Sequence, residues 1–229
     1  MEENTHPRYP WEWEERERLR ELYRCQCGLL PRGEALVAGV DEVGRGPLAG
    51  PVVACAVVFD FPPFLPGLND SKKVPVKLRE KICDAVKGSA LSWAVGIAAV
   101  EEIDRLNILA ASLLAMKRAL EGLAVKPGLV LVDGNKAVPG ISLPQKTVVK
   151  GDARVFSIAA ASVVAKVFRD DLMDRLDGEF PGYGFSSHKG YGTAAHLAAL
   201  RSLGPSPAHR QSFAPVRSLD PAARQLTLA

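Results

Sequence analysis

Asp41 and Glu42 stand side by side in Gly39-Val-Asp-Glu-Val-Gly-Arg-Gly-Pro-Leu-Ala-Gly50, where the apolar stretch Ala35–Val40 ends and a glycine-bracketed arginine follows. A folding domain has little reason to place two carboxylates where a strand leaves the core, because burying charge is costly. A site holding a divalent cation beside a phosphate needs that arrangement: hard oxygen ligands next to backbone open to an anion. Asp133 closes the run Gly128-Leu-Val-Leu-Val-Asp133 before Gly134, and Asp152 follows Gly151. Strand ends of an open sheet collect along one edge, where four carboxylates repel each other unless cations lie between them. Two Mg²⁺ or Mn²⁺ ions about 3.5–4 Å apart suit such a set, and their chemistry is in-line phosphodiester hydrolysis. Taken singly, Asp133 also fits a strand-to-turn residue and Asp152 a helix N-cap opposing the macrodipole. Adjacent strand residues point to opposite faces, so Glu42 is expected past the strand end or to act through its backbone carbonyl.

Other chemistries fit less well. Gly44 to Gly50 has GxGxxxG spacing, with Pro47 after the second glycine and a strand next. Its two acids precede it where a pyrophosphate would sit, so it is not a dinucleotide-binding loop. His6, His188, His196 and His209 form no HxxxH or HExxH pattern, and His196 reads as an ordinary polar residue of the last helix. Cys25-Gln-Cys27 lacks a second ligand pair for zinc, while Cys55 and Cys83 read as small core hydrophobes.

The elements that must position these acids follow from apolar periodicity. Trp11–Tyr23 reads as an amphipathic helix lying on the main domain, its Glu and Arg residues a solvated, paired face. Leu36–Asp41, Val52–Phe59 and Leu91–Val100 read as strands, the first two an antiparallel pair. Pro75–Lys87 reads as a helix with proline in its first turn, and Ile103–Leu123 as one long helix. Gly128–Asp133 is a strand buried on both faces, and Lys146–Lys150 a short one. Asp152–Leu176 is a long helix with an Ala/Ser face suited to packing on a sheet. Thr193–Leu203 is the last clear helix, before a tail rich in proline and arginine. An antiparallel run of strands followed by alternation with helices implies an α/β mixed sheet flanked by helices.

The totals agree. A chain of 229 residues, 47% apolar and 24% charged, suits one main domain without staples. The net charge of +3 is a mild lean toward polyanions. The acidic start carries no leader pattern, and the longest apolar runs are too short for a bilayer, so a cytoplasmic protein with no membrane role is expected.

Several segments, in order, resemble the motifs of bacterial ribonuclease HII. These are Asp41 to Pro51, Asp70-Ser71-Lys72-Lys73, Val132-Asp133-Gly134-Asn135, Lys150-Gly151-Asp152, Ser157 to Asp170, His188 to Thr193, and His209-Arg210-Gln211-Ser212-Phe213. The likeness runs from about Ala38 to Arg217. It implies a ribonuclease H-like mixed sheet with a helical C-terminal part over residues 36–217; residues 1–35, read as an arm and helix, carry no motif of that family, and 218–229 are read as a tail. Asp41, Glu42, Asp133 and Asp152 then correspond to a metal-binding acidic set for Mn²⁺ or Mg²⁺, with Asp41 bridging two ions. Gly44, Arg45 and Gly46 match a loop whose backbone reads a ribose 2′-hydroxyl, the group that separates RNA from DNA. Tyr191 matches a tyrosine that stacks on the sugar 3′ of the ribonucleotide, and Lys72 and Lys73 match phosphate contacts. Lys146, Lys150, Arg154, Lys166, Arg169, Arg201, His209, Arg210 and Arg217 suit a groove tracking the backbone. The implied enzyme is a monomeric endonuclease for RNA–DNA hybrids and for ribonucleotides embedded in duplex DNA, cutting on their 5′ side. A hybrid-binding protein without turnover and a metal-dependent DNA nuclease on the same fold are the alternatives.

Overall fold

A computed structural model describes residues 10–30 and 36–219. The loose arm expected before Pro10 and the end of the tail beyond Leu219 lie outside the described residues. Helix α1 (Pro10–Gly28) is followed by strands β1 (Val37–Val43) and β2 (Val52–Phe59), α2 (Val76–Ser89), β3 (Ser92–Ala98), α3 (Val100–Leu106) and α4 (Ile108–Glu121). Then come β4 (Leu129–Asp133), β5 (Gln145–Val148), a 3₁₀ turn (Gly151–Ala153), α5 (Phe156–Glu179), α6 (Phe185–His188), α7 (Ala194–Leu203) and α8 (Ala214–Arg217).

The five strands form one mixed sheet in the order β3-β2-β1-β4-β5. β2 pairs antiparallel with β1 and β3, while β4 pairs parallel with β1 and β5. All eight residues of β2 are buried, as an uninterrupted Val/Ala/Cys/Phe run requires of a strand covered on both faces. Val53, Cys55 and Val57 pack with the apolar face of α5; Val52, Ala54, Ala56 and Val58 pack with α4. Cys83 joins the α5 side, so both buried cysteines are core residues. Leu19 and Leu22 of α1 bury against α5, and Glu-Arg pairs three and four residues apart line the helix's outer side.

Two long helices differ from their sequence patterns. The pattern from Ile103 to Leu123 is split at Asn107, which takes a left-handed φ of 72°. Its side-chain oxygen accepts the amides of Leu109 and Ala110, capping α4. The predicted Asp152 helix start is a separate 3₁₀ turn, because Lys150 is left-handed and Val155 extended, so α5 begins at Phe156. Asp152 therefore caps no long helix. The described part of the segment after Gly204 is packed on the domain: Ala208 and Val216 are buried with Leu48, Tyr183 and Phe185.

β1 lies close against α5 at Gly39. A methyl group there would overlap the carbonyl carbon of Ser157 and the amide of Ile158, both backbone atoms. Gly39→Ala is expected to destabilise the protein by about 1–3 kcal/mol, read as a lower urea midpoint at unchanged slope. An unchanged midpoint would mean that α5 is free to back away from the strand.

Candidate active site

The ladder between β1 and β4 stops at Val40–Val132, whereas that between β1 and β2 continues to Val43–Val53. The β4-facing edge of residues 41–43 is thus open at a place where three acids meet. One carboxylate oxygen each from Asp41, Glu42 and Asp133 lie within 4.8 Å of one another. Glu42 lies inside β1, its side chain 11% exposed, and not past the strand's end as the alternation rule suggests. Alternation itself is kept. Asp41 is opposite Cys55, on the α5 side, while Glu42 lines a cavity of about 230 Å³ floored by Leu109, Leu113 and Met116 of α4. Where the ladder has stopped, the two side chains reach around the open strand edge from opposite faces.

Asp133 is held by the 3₁₀ turn: its Oδ1 accepts the Gly151 amide at 2.6 Å and, at 3.4 Å, the Asp152 amide. The same bonds bring Asp152 beside Asp133, outside the three-oxygen cluster. On its other side Asp152 feels Asp70 and Lys72. Asp70 organises that turn by accepting the Lys72 amide at 3.0 Å, and Lys72 and Lys73 are both exposed.

Burial pushes the Asp41 carboxyl far above the ordinary carboxylate range, and the nearby Glu42 and Asp133 charges push it further. The Ser162 hydroxyl opposes this. Burial also raises Glu42; the Arg45 guanidinium, 3.2 Å from its Oε1, works against that rise and Asp133 with it. Asp152 is raised by burial, then by Asp133 and Asp70. An all-oxygen donor set, held close and strained by its own charge, fits a hard divalent cation.

The loop beside these acids is built from underneath. Gly44 has a φ of 97°, and a side chain there would strike Arg169 and the Pro51 carbonyl. Arg169, Arg210 and His209 are buried, contrary to the expectation that all three track a surface groove. Arg169 donates to the carbonyls of Ala49, Pro51 and Lys189 at 3.0–3.1 Å. Arg210 donates to Gly44 at 2.5 Å, to Arg45 at 3.0 Å and twice to Gly50 at 2.8 and 3.0 Å. Charge buried without a carboxylate partner is tolerable when carbonyl dipoles satisfy the donors. With carbonyls turned inward, the amides of Arg45 and Gly46 have no hydrogen-bond partner among the described residues. Tyr191, 42% exposed, faces Gly46: a Cβ built on that glycine would lie 3.5 Å from Cε1 of the ring.

The structure thus gathers Asp41, Glu42 and Asp133 directly and brings Asp152 and the Lys72 turn alongside. Gly44, Arg45, Gly46 and Tyr191 form the adjoining wall. Of the other basic residues, Lys150, Arg154, Arg201 and Arg217 are exposed, whereas Lys166 pairs with Asp170 at 2.5 Å and Lys146 donates to the Leu29 carbonyl. His196 is not an ordinary surface polar residue; it is fully buried. Sequence reasoning missed Ser162, which donates to the Ser71 hydroxyl at 3.0 Å and faces Asp41. Its place within the small-residue face of α5 was the available signal, since small residues mark where that helix meets the sheet.

The family model described as Ribonuclease HII matches residues 38–216. A protein named Ribonuclease HII from Myxococcus xanthus is 54% identical over 204 residues, covering 89% of this chain and 69% of the relative. Another of that name, from Syntrophotalea carbinolica, is 57% identical over 191 residues, covering 82% of this chain and 90% of the relative. Among solved structures, the ribonuclease H2 of Pyrococcus horikoshii superposes with a TM-score of 0.67 at 25% identity, covering 83% of this chain and 99% of that one.

The raised Asp41 carboxyl has a sign consequence. Between the unfolded value near 3.8 and the higher folded value, the native state binds the extra proton, so this group's contribution to stability falls as pH rises through that window. Asp41→Asn is therefore expected to melt higher than the wild type in chelator at pH 7, the gap closing as pH approaches 4. Mn²⁺ at a hundredfold excess over its dissociation constant should stabilise the wild type by about 2.7 kcal/mol and the variant far less. Equal stabilisation of both in thermal melts would remove Asp41 from the cation site.

Proposed function

The chain belongs to the ribonuclease HII family and is a ribonuclease H, and we propose that it cuts RNA within RNA–DNA hybrids and on the 5′ side of single ribonucleotides in duplex DNA. The products in this reading carry 3′-hydroxyl and 5′-phosphate ends. One observation carries it: the cluster of Asp41, Glu42 and Asp133 directly adjoins the Gly44–Gly46 loop, whose Arg45 and Gly46 amides are unpaired among the described residues and whose Gly46 lies against the Tyr191 ring.

Asp41, Glu42 and Asp133 would hold a divalent cation, and Asp152, beside Asp133, would extend the set to a second. Bound Mg²⁺ or Mn²⁺ supplies Lewis acidity at the scissile phosphate and makes an attacking water more acidic. The chain's own residues supply selection. The amides of Arg45 and Gly46 offer donors to a ribose 2′-hydroxyl, and the absence of a side chain at Gly46 lets a sugar lie between loop and ring. Deoxyribose leaves those donors unpaired, a loss of about 1–3 kcal/mol when water is excluded. Tyr191 provides a flat apolar face for the neighbouring sugar. Lys72 and Lys73, exposed beside Asp152, contact phosphates, so affinity depends on salt more than on sequence.

In this reading the enzyme acts as a monomer. Cys25, Cys27, Cys55 and Cys83 are all free thiols, which supports the reducing cytoplasm as its setting.

A duplex with one ribonucleotide should be cut at that site in Mn²⁺ or Mg²⁺, and its all-DNA twin left intact. Equal cutting of both would favour a DNA nuclease, and cutting of neither a non-catalytic hybrid binder. Asp41→Asn should lower kcat by about 10²–10³-fold or more, with hybrid affinity in a gel-shift assay changed little. Turnover near the wild-type rate would contradict the assignment.

A further inference from the structure

Three of the four histidines meet behind Tyr191, and their hydrogen bonds determine where each proton sits. Ser206 donates its backbone amide to Nδ1 of His209 at 3.0 Å, so that nitrogen carries no proton. A neutral His209 is then protonated on Nε2, which lies 3.0 Å from Nε2 of His196. Nδ1 of His196 lies 2.9 Å from the Tyr191 carbonyl oxygen, which only accepts, so His196 is protonated on Nδ1 and bare on Nε2. The bonds run one way: Ser206 to His209, His209 to His196, His196 to the Tyr191 carbonyl.

Both rings are buried, each 1% exposed or less. They pack among Phe185, Tyr183 and His188, the last stacked on His196 with ring centroids 4.3 Å apart. His188 is placed by its own bonds, with Nδ1 accepting the Gly190 amide at 3.2 Å and Nε2 donating to the Tyr183 carbonyl at 2.8 Å. The far end of the chain is tied to the loop. His209 bridges Ala49, Gly50 donates to the Ala208 carbonyl at 2.8 Å, and Leu48 donates to the Gly190 carbonyl at 2.8 Å. The histidines thus join the segment carrying the Tyr191 ring to the segment carrying Gly44–Gly46.

We propose that His196 and His209 are positioning residues for ribonucleotide recognition, a neutral relay of fixed tautomers that holds the Tyr191 ring opposite the Gly44–Gly46 loop. This rests on the reading of that ring and loop given above. Burial keeps both imidazoles below the usual histidine range, His209 at about 4. A proton added to His196 would set two N–H groups facing each other at the 3.0 Å contact, and one added to His209 would face the Ser206 amide.

Nitrogen-15 NMR of the full-length protein at pH 7 tests the relay itself. It should show His196 as the less common Nδ1–H tautomer and His209 as Nε2–H; an Nε2–H or cationic His196 would overturn the proposal. Steady-state cleavage of a duplex with one ribonucleotide tests its role. His196→Leu should raise KM about three- to tenfold, the worth of one neutral hydrogen bond, with kcat within about twofold. His196→Asn, which keeps a donor near the Nδ1 position, should restore KM, and His196→Gln should not. In a Tyr191→Ala background, His196→Leu should add little. Additive effects, an unchanged KM in His196→Leu, or equal behaviour of the Asn and Gln variants would overturn the positioning role. Should His196→Leu fail to fold, the tautomers and the Asn–Gln contrast decide. A Tyr191→Ala variant with wild-type KM would instead sink the reading of the ring, a failure told apart by correct tautomers in the NMR.

Discussion

Three carboxylate oxygens within 4.8 Å of one another is a repulsive arrangement, and the fold is organised so that it persists. The sheet permits it by ending one ladder early. Past Val40, β1 keeps β2 on one side and leaves its other edge open, so side chains from both faces converge on one point. Asp133 arrives because β4 ends there, and the Gly151 amide fixes its carboxylate. Burial and mutual repulsion raise the affinity of Asp41 for a proton, and they would do the same for a divalent cation.

The second feature is a pair of buried charges that oppose no acid. Arg169 comes from the middle of α5 and Arg210 from the C-terminal segment, and together they gather carbonyls of residues 44 to 51. The loop is therefore shaped from the inside, and the amides of Arg45 and Gly46 stay unpaired among the described residues. This makes the C-terminal segment a support of the loop beside the acids, since removing Arg210 would leave several inward carbonyls unpaired at about 1–3 kcal/mol each. Acids at the strand edge and cations beneath the loop give adjacent surfaces opposite character, one suited to cations and the other to a polar, anionic strand.

Much of this is visible in the chain itself, for physical reasons. Val52–Phe59 reads as a strand with its correct limits because a short, continuous, valine-rich apolar run has few other uses. The sheet class follows from the switch between periods of two and 3.6. Asp41, Glu42 and Asp133 stand out because acids at the ends of apolar runs conflict with burial. Glu42 keeps the alternation yet joins Asp41, because the rule describes directions from the backbone, whereas a glutamate at an unpaired edge reaches around it. Asn107 hides in a helical pattern, since its left-handed backbone becomes favourable only when its own side chain caps the next helix. Arg169, Arg210, His196 and His209 are illegible for a shared reason. Each reads as surface polarity until the tertiary fold supplies carbonyls, or another imidazole, for it to bond.

The central claim is that the carboxylate cluster and the Gly44–Gly46 loop act on one nucleotide together. Anomalous diffraction from crystals grown with Mn²⁺ and a duplex carrying one ribonucleotide, using a slowly cleaved phosphorothioate at the junction, tests it most directly. The account predicts manganese on Asp41, Glu42 and Asp133 with the ribose 2′-hydroxyl against the amides of Arg45 and Gly46. Manganese elsewhere, or a ribose turned away from that loop, would contradict it.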